Sequence, residues 1–199
     1  LGKASERGLL IRNGDVIETA CKIDTVIFDK TGTLTQGYPV VAAVKPTNNI
    51  SEEGLLRLAS SVEIGSEHLL GKAIVKIASD RAIQLSETTD FVSIPGMGVS
   101  AKVENMTVRV GTLGFLTDSG MSLTQEVLQI DDTAEIGQTP VLVSANNEYV
   151  GAFMISDPVR AGSKEVIDRL KGVNVRVIML TGDHERTANA VAREVGISE

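Results

Sequence analysis

Short apolar runs and helical stripes alternate along this chain in an order that predicts two kinds of architecture. Thr25-Val26-Ile27-Phe28 is a continuous apolar run, β-branched and aromatic, that ends in the polar turn Asp29-Lys30-Thr31-Gly32-Thr33. A run without alternation predicts a strand buried on both faces, as in a parallel α/β sheet. Val175 to Leu180 repeats the pattern and ends in Thr181-Gly182-Asp183. Around it, Val166, Ile167 and Leu170, then Ala188, Val191, Ala192 and Val195, recur at helical spacing. The last quarter therefore reads helix–strand–helix.

The middle has a different texture. Leu55, Leu56, Leu58 and Ala59, then Leu70, Ala73, Ile74 and Ile77, mark two helices. After Gly98 the pattern alternates: Val99, Ala101 and Val103, then Thr107 to Val110, with a hairpin turn at Glu104-Asn105. Pro140–Ser144 and Glu148–Ile155 form a second strand pair across Asn146-Asn147. An α+β segment flanked by two halves of an α/β pattern predicts one domain inserted into another. The expected division is 1–38 with 157–199 for the outer domain and 39–156 for the insert. Hinges are expected near Gly37-Tyr38-Pro39 and Ser156-Asp157-Pro158.

Composition narrows the function. Lys and Arg number 19 against 26 Asp and Glu, a net charge of −7, which argues against a nucleic-acid partner. Aromatics are only 3%, so the core must be aliphatic. The single cysteine, Cys21, excludes an internal disulfide and is expected half-buried and reduced. No apolar run reaches the ~18–20 residues of a membrane span, so this segment is expected to make no membrane contact. Both ends read as cut rather than native.

The chemistry concentrates in Asp29-Lys30-Thr31-Gly32-Thr33-Leu34-Thr35. A carboxylate at the carboxyl end of a buried strand stands where open α/β sheets build sites. The Thr-Gly-Thr turn offers amides and hydroxyls to an anion, and an aspartate so placed can accept a phosphoryl group. This string resembles the phosphorylation motif of the P-type ATPases, a branch of the haloacid-dehalogenase-like superfamily. Thr181-Gly182-Asp183 resembles the family's TGD motif, with His184 where Asn is more frequent. Asp157-Pro158 resembles its hinge. Ser66-Glu67-His68 resembles the SEHP motif of the heavy-metal-transporting branch, with Leu69 in place of Pro. Gly96-Met97-Gly98 resembles its glycine pair. Val110-Gly111-Thr112 aligns with its V/I-G-N, Thr112 replacing Asn. Gly137-Gln138-Thr139 matches as a turn before a strand, and Leu9 to Gly14 with Glu18 resembles the lead-in from a membrane helix.

The resemblance implies a haloacid-dehalogenase-like, Rossmannoid parallel-sheet phosphorylation domain, incomplete at its C-terminal end, carrying an inserted α+β nucleotide-binding domain. It implies catalytic roles for Asp29, Lys30, Thr31, Thr181, Gly182 and Asp183. It implies ATP contacts from Glu67, His68, Gly96, Gly98, Gly111 and Thr112, and Mg²⁺ held by Asp29 and Thr31. The parent would be an ATP-driven heavy-metal pump, copper ahead of zinc or cadmium, with transmembrane and actuator domains as partners and this segment on the cytoplasmic side. The downstream lysine and acidic pair of the family do not occur before Glu199, so this segment is expected to bind ATP but to phosphorylate weakly or not at all. A sheet missing its last strands also leaves an edge at which two chains can pair. The alternatives are a stand-alone phosphatase, disfavoured because Thr31 stands where such enzymes carry a second Asp, and a non-catalytic nucleotide-binding module.

Overall fold

The computed structural model describes residues 6, 8, 10–11, 13–122, 124–130, 137–182 and 185–198. Helix α1 spans Gly14–Ala20 and strand β1 Thr25–Asp29; β2 is Val40–Pro46. Helices α2 (Glu52–Glu63) and α3 (Leu69–Asp80) precede the meander β3 (Thr88–Ile94), β4 (Gly98–Val103) and β5 (Met106–Gly111). Helices α4 (Leu113–Asp118) and α5 (Gln125–Ile130) lead to β6 (Thr139–Ala145) and β7 (Glu148–Ser156). The chain closes with α6 (Ser163–Gly172), β8 (Arg176–Leu180) and α7 (Glu185–Val195).

Two sheets result. β1 and β8 pair in parallel, with Thr25 opposite Arg176 and Asp29 opposite Leu180. The other sheet is antiparallel and six-stranded, in the order β2-β7-β6-β5-β4-β3. The mixed α/β class expected from the sequence is therefore observed: a parallel pair flanking a separate antiparallel layer.

The antiparallel sheet shows why its strands read differently. Along β6, Val141 and Val143 enter the core under α2 and α3, while Leu142 packs on the other face with Phe115, Leu116 and Val127. Phe153 and Ile155 of β7 likewise face the first core, Ala152 and Met154 the second. Both faces are covered there, so the pattern is continuous. On β4, Val99, Ala101 and Val103 are buried while Lys102 is exposed, so it alternates. The two hairpins are turned by Glu104-Asn105 (φ 51 and 64) and Asn146-Asn147 (φ 49 and 67), left-handed pairs that match the twist of the strands they join. Helix α2 starts where Ser51 Oγ accepts from Gly54 N at 3.1 Å, with Glu52 and Glu53 in its first turn, which satisfies one amide and the helix dipole.

The parallel pair is covered on one face only. Phe28, Val177 and Met179 pack with Ile167, Ala192 and Val195 of α6 and α7. On the other face Ile27 is 61% and Leu180 64% exposed. This corrects the expectation of a first strand buried on both faces: a continuous apolar run records what a strand can bury, not what stands against it. Cys21, expected half-buried, is exposed at the C-terminal end of α1. The sequence reading also passed over α1, β2, β3, α4 and α5, which are short or lack a clean period. Among the described residues, no helix is long and apolar enough to cross a membrane.

Candidate phosphoryl-acceptor loop and nucleotide cavity

The Asp29–Leu180 register sets Asp29 and the start of Thr181-Gly182 side by side at the carboxyl ends of adjacent parallel strands. This is the edge of an α/β sheet at which ligands collect. Asp29 is exposed; the Lys30 that follows it is only 7% exposed. The chain then makes a wide, irregular turn over Lys30–Leu34. Thr35 N donates to Lys30 O at 3.0 Å, and Gly32 takes φ 74, a left-handed conformation that costs a glycine nothing. Thr31 and Gly32 are exposed on this turn, while Leu34 and Thr35 anchor it in the interior. Asp183 and His184 lie outside the described residues, as do Leu9 and Arg12 of the lead-in.

The turn is held by the returning chain. Asp157 Oδ2 lies 2.6 Å from Thr35 Oγ1. Gly37 N donates to Asp157 Oδ1 at 2.9 Å. Thr35 Oγ1 is also 3.0 Å from Lys30 O and accepts from Gly32 N at 3.3 Å. A hydroxyl has one proton, and the short contact assigns it to the carboxylate. Arg160 adds a second brace: its Nη2 donates to Gly32 O at 2.9 Å and its backbone N to Leu34 O at 2.8 Å. Ser163 Oγ donates to Leu34 O at 2.9 Å. Three residues downstream of the chain's return, Asp157, Arg160 and Ser163, thus shape the loop that follows Asp29. Nothing in the sequence singled out Arg160 or Ser163, because their acceptors are backbone carbonyls more than 120 residues away.

A cavity of about 210 Å³ opens in the antiparallel layer, between the α2–α3 junction and the β3–β4 and β5–α4 turns. His68, Gly96, Gly98, Gly111 and Thr112 all line it. These are five of the six residues that the resemblance assigns to nucleotide. Glu67, the sixth, is exposed and does not line it. The carboxyl that does is Glu63, which is only 6% exposed.

Glu63 has an anomalous setting. Its Oε2 is buried with no hydrogen-bond partner. Burial pushes its carboxyl up to about 7, against the smaller opposing effect of the Ser66 hydroxyl. The sequence held a signal for it. Glu63 continues the stripe of Leu55, Leu56, Ala59 and Val62, so it is an acid on the apolar face of its helix.

His68 has two duties in the geometry. Its Nδ1 accepts from Leu70 N at 3.2 Å, capping α3, which leaves the ring proton on Nε2 in the neutral tautomer. It keeps the extended conformation (φ −69, ψ 139) that a following proline would impose, although Leu69 follows it. The imidazole cap replaces the proline's steric constraint. Thr112 caps α4 by accepting from Phe115 N at 3.3 Å. Gly98 and Gly111 face each other across β4 and β5. A Cβ on Gly111 would lie 2.7 Å from Gly98 Cα, so the bare backbones are needed to let the strands meet under Phe115.

Among the described residues, no group of three or more His, Cys, Asp or Glu stands together. Asp29 and Thr31 would supply part of the near-octahedral oxygen coordination that magnesium takes.

Residues 23–199 match the family model of haloacid dehalogenase-like hydrolases. The chain is 40% identical over 201 residues to a copper-transporting ATPase of Oryza sativa subsp. japonica, covering 98% of this chain and 20% of that protein. It is similar to a zinc-transporting PIB-type ATPase in the E2.Pi state, with TM-score 0.83, 35% identity, and coverage of 99% of this chain and 32% of the other. It is also similar to the catalytic domain of the CPx-ATPase CopB-B, with TM-score 0.69, 31% identity, and coverage of 100% and 70%. The chain spans about a fifth of the length of the curated relative from rice. On its sequence, its two-sheet architecture and the extent of these matches, the chain belongs to the haloacid dehalogenase-like hydrolases, in the branch of the heavy-metal-transporting P-type ATPases.

Proposed function

We propose that this chain is the ATP-binding and phosphoryl-accepting portion of an ATP-driven heavy-metal pump, lying on the cytoplasmic side of the membrane. The observation that carries the reading is the register of Asp29 against Leu180, which brings Asp29 beside Thr181 and Gly182 at the strand ends, before an exposed turn that carries the hydroxyls of Thr31 and Thr33. In the reaction, an oxygen of Asp29 attacks the γ-phosphorus of ATP. The bond to the bridging oxygen breaks, ADP leaves with that electron pair, and an aspartyl-phosphate remains. The left-handed Gly32 lets the turn curl back on itself, with its own amide on Thr35 Oγ1, and leaves Thr31 and Thr33 exposed beside Asp29.

The division of labour is equally part of the proposal. Residues 39–156 bind the base, and 1–38 with 157–199 accept the phosphoryl group. The outgoing segment at Thr35–Gly37 and the returning one at Asp157–Arg160 cross between them. A swing about that crossing would carry ATP from the cavity to Asp29. Magnesium, when bound, would be held in part by Asp29 and Thr31 and would neutralise charge on the phosphates. Copper is the proposed cargo because the curated relative from rice transports it. Zinc is the alternative, from the structural neighbour.

Two measurements test the reading. Calorimetric titration of the chain with ATP is expected to show binding that His68→Ala weakens at least several-fold and Asp29→Ala leaves within about twofold. In the intact parent, ATP labelled in the γ position is expected to give a phosphoenzyme that Asp29→Asn abolishes. Equal loss of binding in the two variants, or labelling that survives Asp29→Asn, would overturn it.

A further inference from the structure

Five methionines occur in the chain, and their settings differ. Met121 and Met154 are buried, and Met106 and Met179 are half-buried against hydrophobic cores. Only Met97 is exposed, at 37%, and it lines the nucleotide cavity. It follows the left-handed Gly96 (φ 74) in the turn between β3 and β4. Both of its backbone polar groups are held: Met97 N donates to Ile94 O at 3.1 Å, and Met97 O accepts from Thr112 N at 2.9 Å. The backbone thus keeps the residue at the cavity while water reaches part of it. Ile94, Pro95, Val110 and Val141 make the wall around it apolar.

We propose that Met97 is a site of reversible oxidation: a hydroperoxide converts its thioether to the sulfoxide, and ATP affinity falls until a sulfoxide reductase restores it. The proposal rests on the nucleotide reading above and concerns the regulation of that same cavity. A thioether accepts hydrogen bonds only weakly, packs as a hydrocarbon does and makes favourable contacts with aromatic rings. A purine seated against it gains from both. The sulfoxide is polar and carries one more oxygen. In an apolar-walled cavity of about 210 Å³, that oxygen either crowds the ring or turns out to water. Either way the face that the thioether offered is lost.

The step needs only the hydroperoxide. The sulfur lone pair attacks its outer oxygen and the O–O bond breaks. The proton of the outer oxygen passes to the leaving one, which departs as water or an alcohol. Sulfur loses two electrons and the peroxide gains them. In the reverse direction two thiols of the reductase system become a disulfide, and the oxygen leaves as water. The coupling runs both ways: a base that covers Met97 shields it from the oxidant, and an oxidised Met97 disfavours the base.

The test is treatment of the chain with hydrogen peroxide, in a Cys21→Ser background because Cys21 is exposed and competes for the oxidant. Peptide mass spectrometry reads each methionine, and calorimetric titration reads ATP affinity. Met97 is expected to oxidise first, and ATP affinity to fall about three- to tenfold in step with it, the range a sulfur–ring contact supports. ATP at about ten times its Kd should slow Met97 oxidation about fivefold or more. Methionine sulfoxide reductase should restore both the residue and the affinity. Met97→Leu, whatever its starting affinity, should keep it through the treatment. Four results overturn the proposal and leave ATP binding standing: earlier oxidation of another methionine, an oxidised Met97 with undiminished affinity, an oxidation rate indifferent to ATP, or equal loss in Met97→Leu. A loss of affinity that accompanies unfolding, read by circular dichroism, does the same. Absence of ATP binding before any treatment overturns the nucleotide reading with it.

Discussion

Thr35 Oγ1 and Asp157 Oδ2 lie 2.6 Å apart, joined across 122 residues of intervening chain. Thr35 is fully buried, and Asp157 also takes the Gly37 amide. The pair ties the segment that leaves the Asp29 loop to the segment that returns to it. Asp157→Ala would strip partners from a buried hydroxyl and a backbone amide. A loss of about 2–3 kcal/mol is expected, since hydrogen bonds to charged groups contribute ~1.5–3 kcal/mol each and do not add fully. Chemical denaturation read by far-ultraviolet circular dichroism measures it. NMR should show the Gly32 and Gly37 amides shifting together. An unchanged midpoint would mean the tie is only a surface contact.

His68 separates a structural duty from a binding one. His68→Ala removes the cap on Leu70 N and should cost about 0.5–1 kcal/mol. His68→Asn restores a capping side chain, so its stability should return to that of the wild type while ATP affinity stays low. Leu69→Pro should be neutral or stabilising by about 0.4–1 kcal/mol, because proline is favoured at the first helical position and His68 already has the extended backbone it demands. Recovery of ATP affinity in His68→Asn would reduce the imidazole to a cap.

Gly111→Ala should separate β4 from β5. The new methyl would meet Gly98 Cα at 2.7 Å and Phe115 Cδ1 at 3.0 Å, with strand backbone on one side and a buried ring on the other. Overpacking of this kind costs about 1–3 kcal/mol. Because Gly98, Gly111 and Thr112 line the cavity, ATP affinity should fall with it. Gly114→Ala, whose methyl would meet open space, is the control and should change neither.

Glu63 also makes stability depend on pH. Its carboxyl stands at about 7 in the folded chain, against 4.5 as the ordinary value. The folded state therefore holds a proton that the unfolded chain releases between those values. Stability is full below about pH 4.5 and falls as pH rises towards and just beyond 7, by at most about 3 kcal/mol. Glu63→Gln should match the wild type in its pH slope below pH 4.5 and exceed it in stability at pH 8. Urea unfolding at pH 5, 6.5 and 8 reads the slope, and parallel curves for the two proteins would show that Glu63 is charged and solvated.

Much of this was legible in linear order because local physics writes it there. The two hairpin turns were visible as Glu104-Asn105 and Asn146-Asn147, and the helices of the insert as apolar stripes. His68, Gly96, Gly98, Gly111 and Thr112 were picked out one by one and line one cavity. The motif carries Glu67, which is exposed, while the carboxyl that lines the cavity is Glu63, four residues earlier, at the end of the helix that holds the core positions. A motif marks where a site lies along the chain; Glu63 turns inward because it ends the apolar face of its helix, whereas Glu67 stands exposed in the loop that follows.

By itself the sequence determined β1 and β8, the two hairpins, the helices α2, α3, α6 and α7, the polar turn after the first strand, the family, and the placing of an antiparallel layer between two halves of a parallel one. These follow from side-chain period and local backbone preference, which act over a few residues. Only the tertiary structure decided that Asp29 stands beside Thr181, that Asp157 and Arg160 brace the loop between them, that Ile27 faces outward, and that Glu63 loses its water. Each of those depends on groups far apart in sequence meeting at contact distance, where desolvation and hydrogen bonding are set by neighbours that no local pattern names.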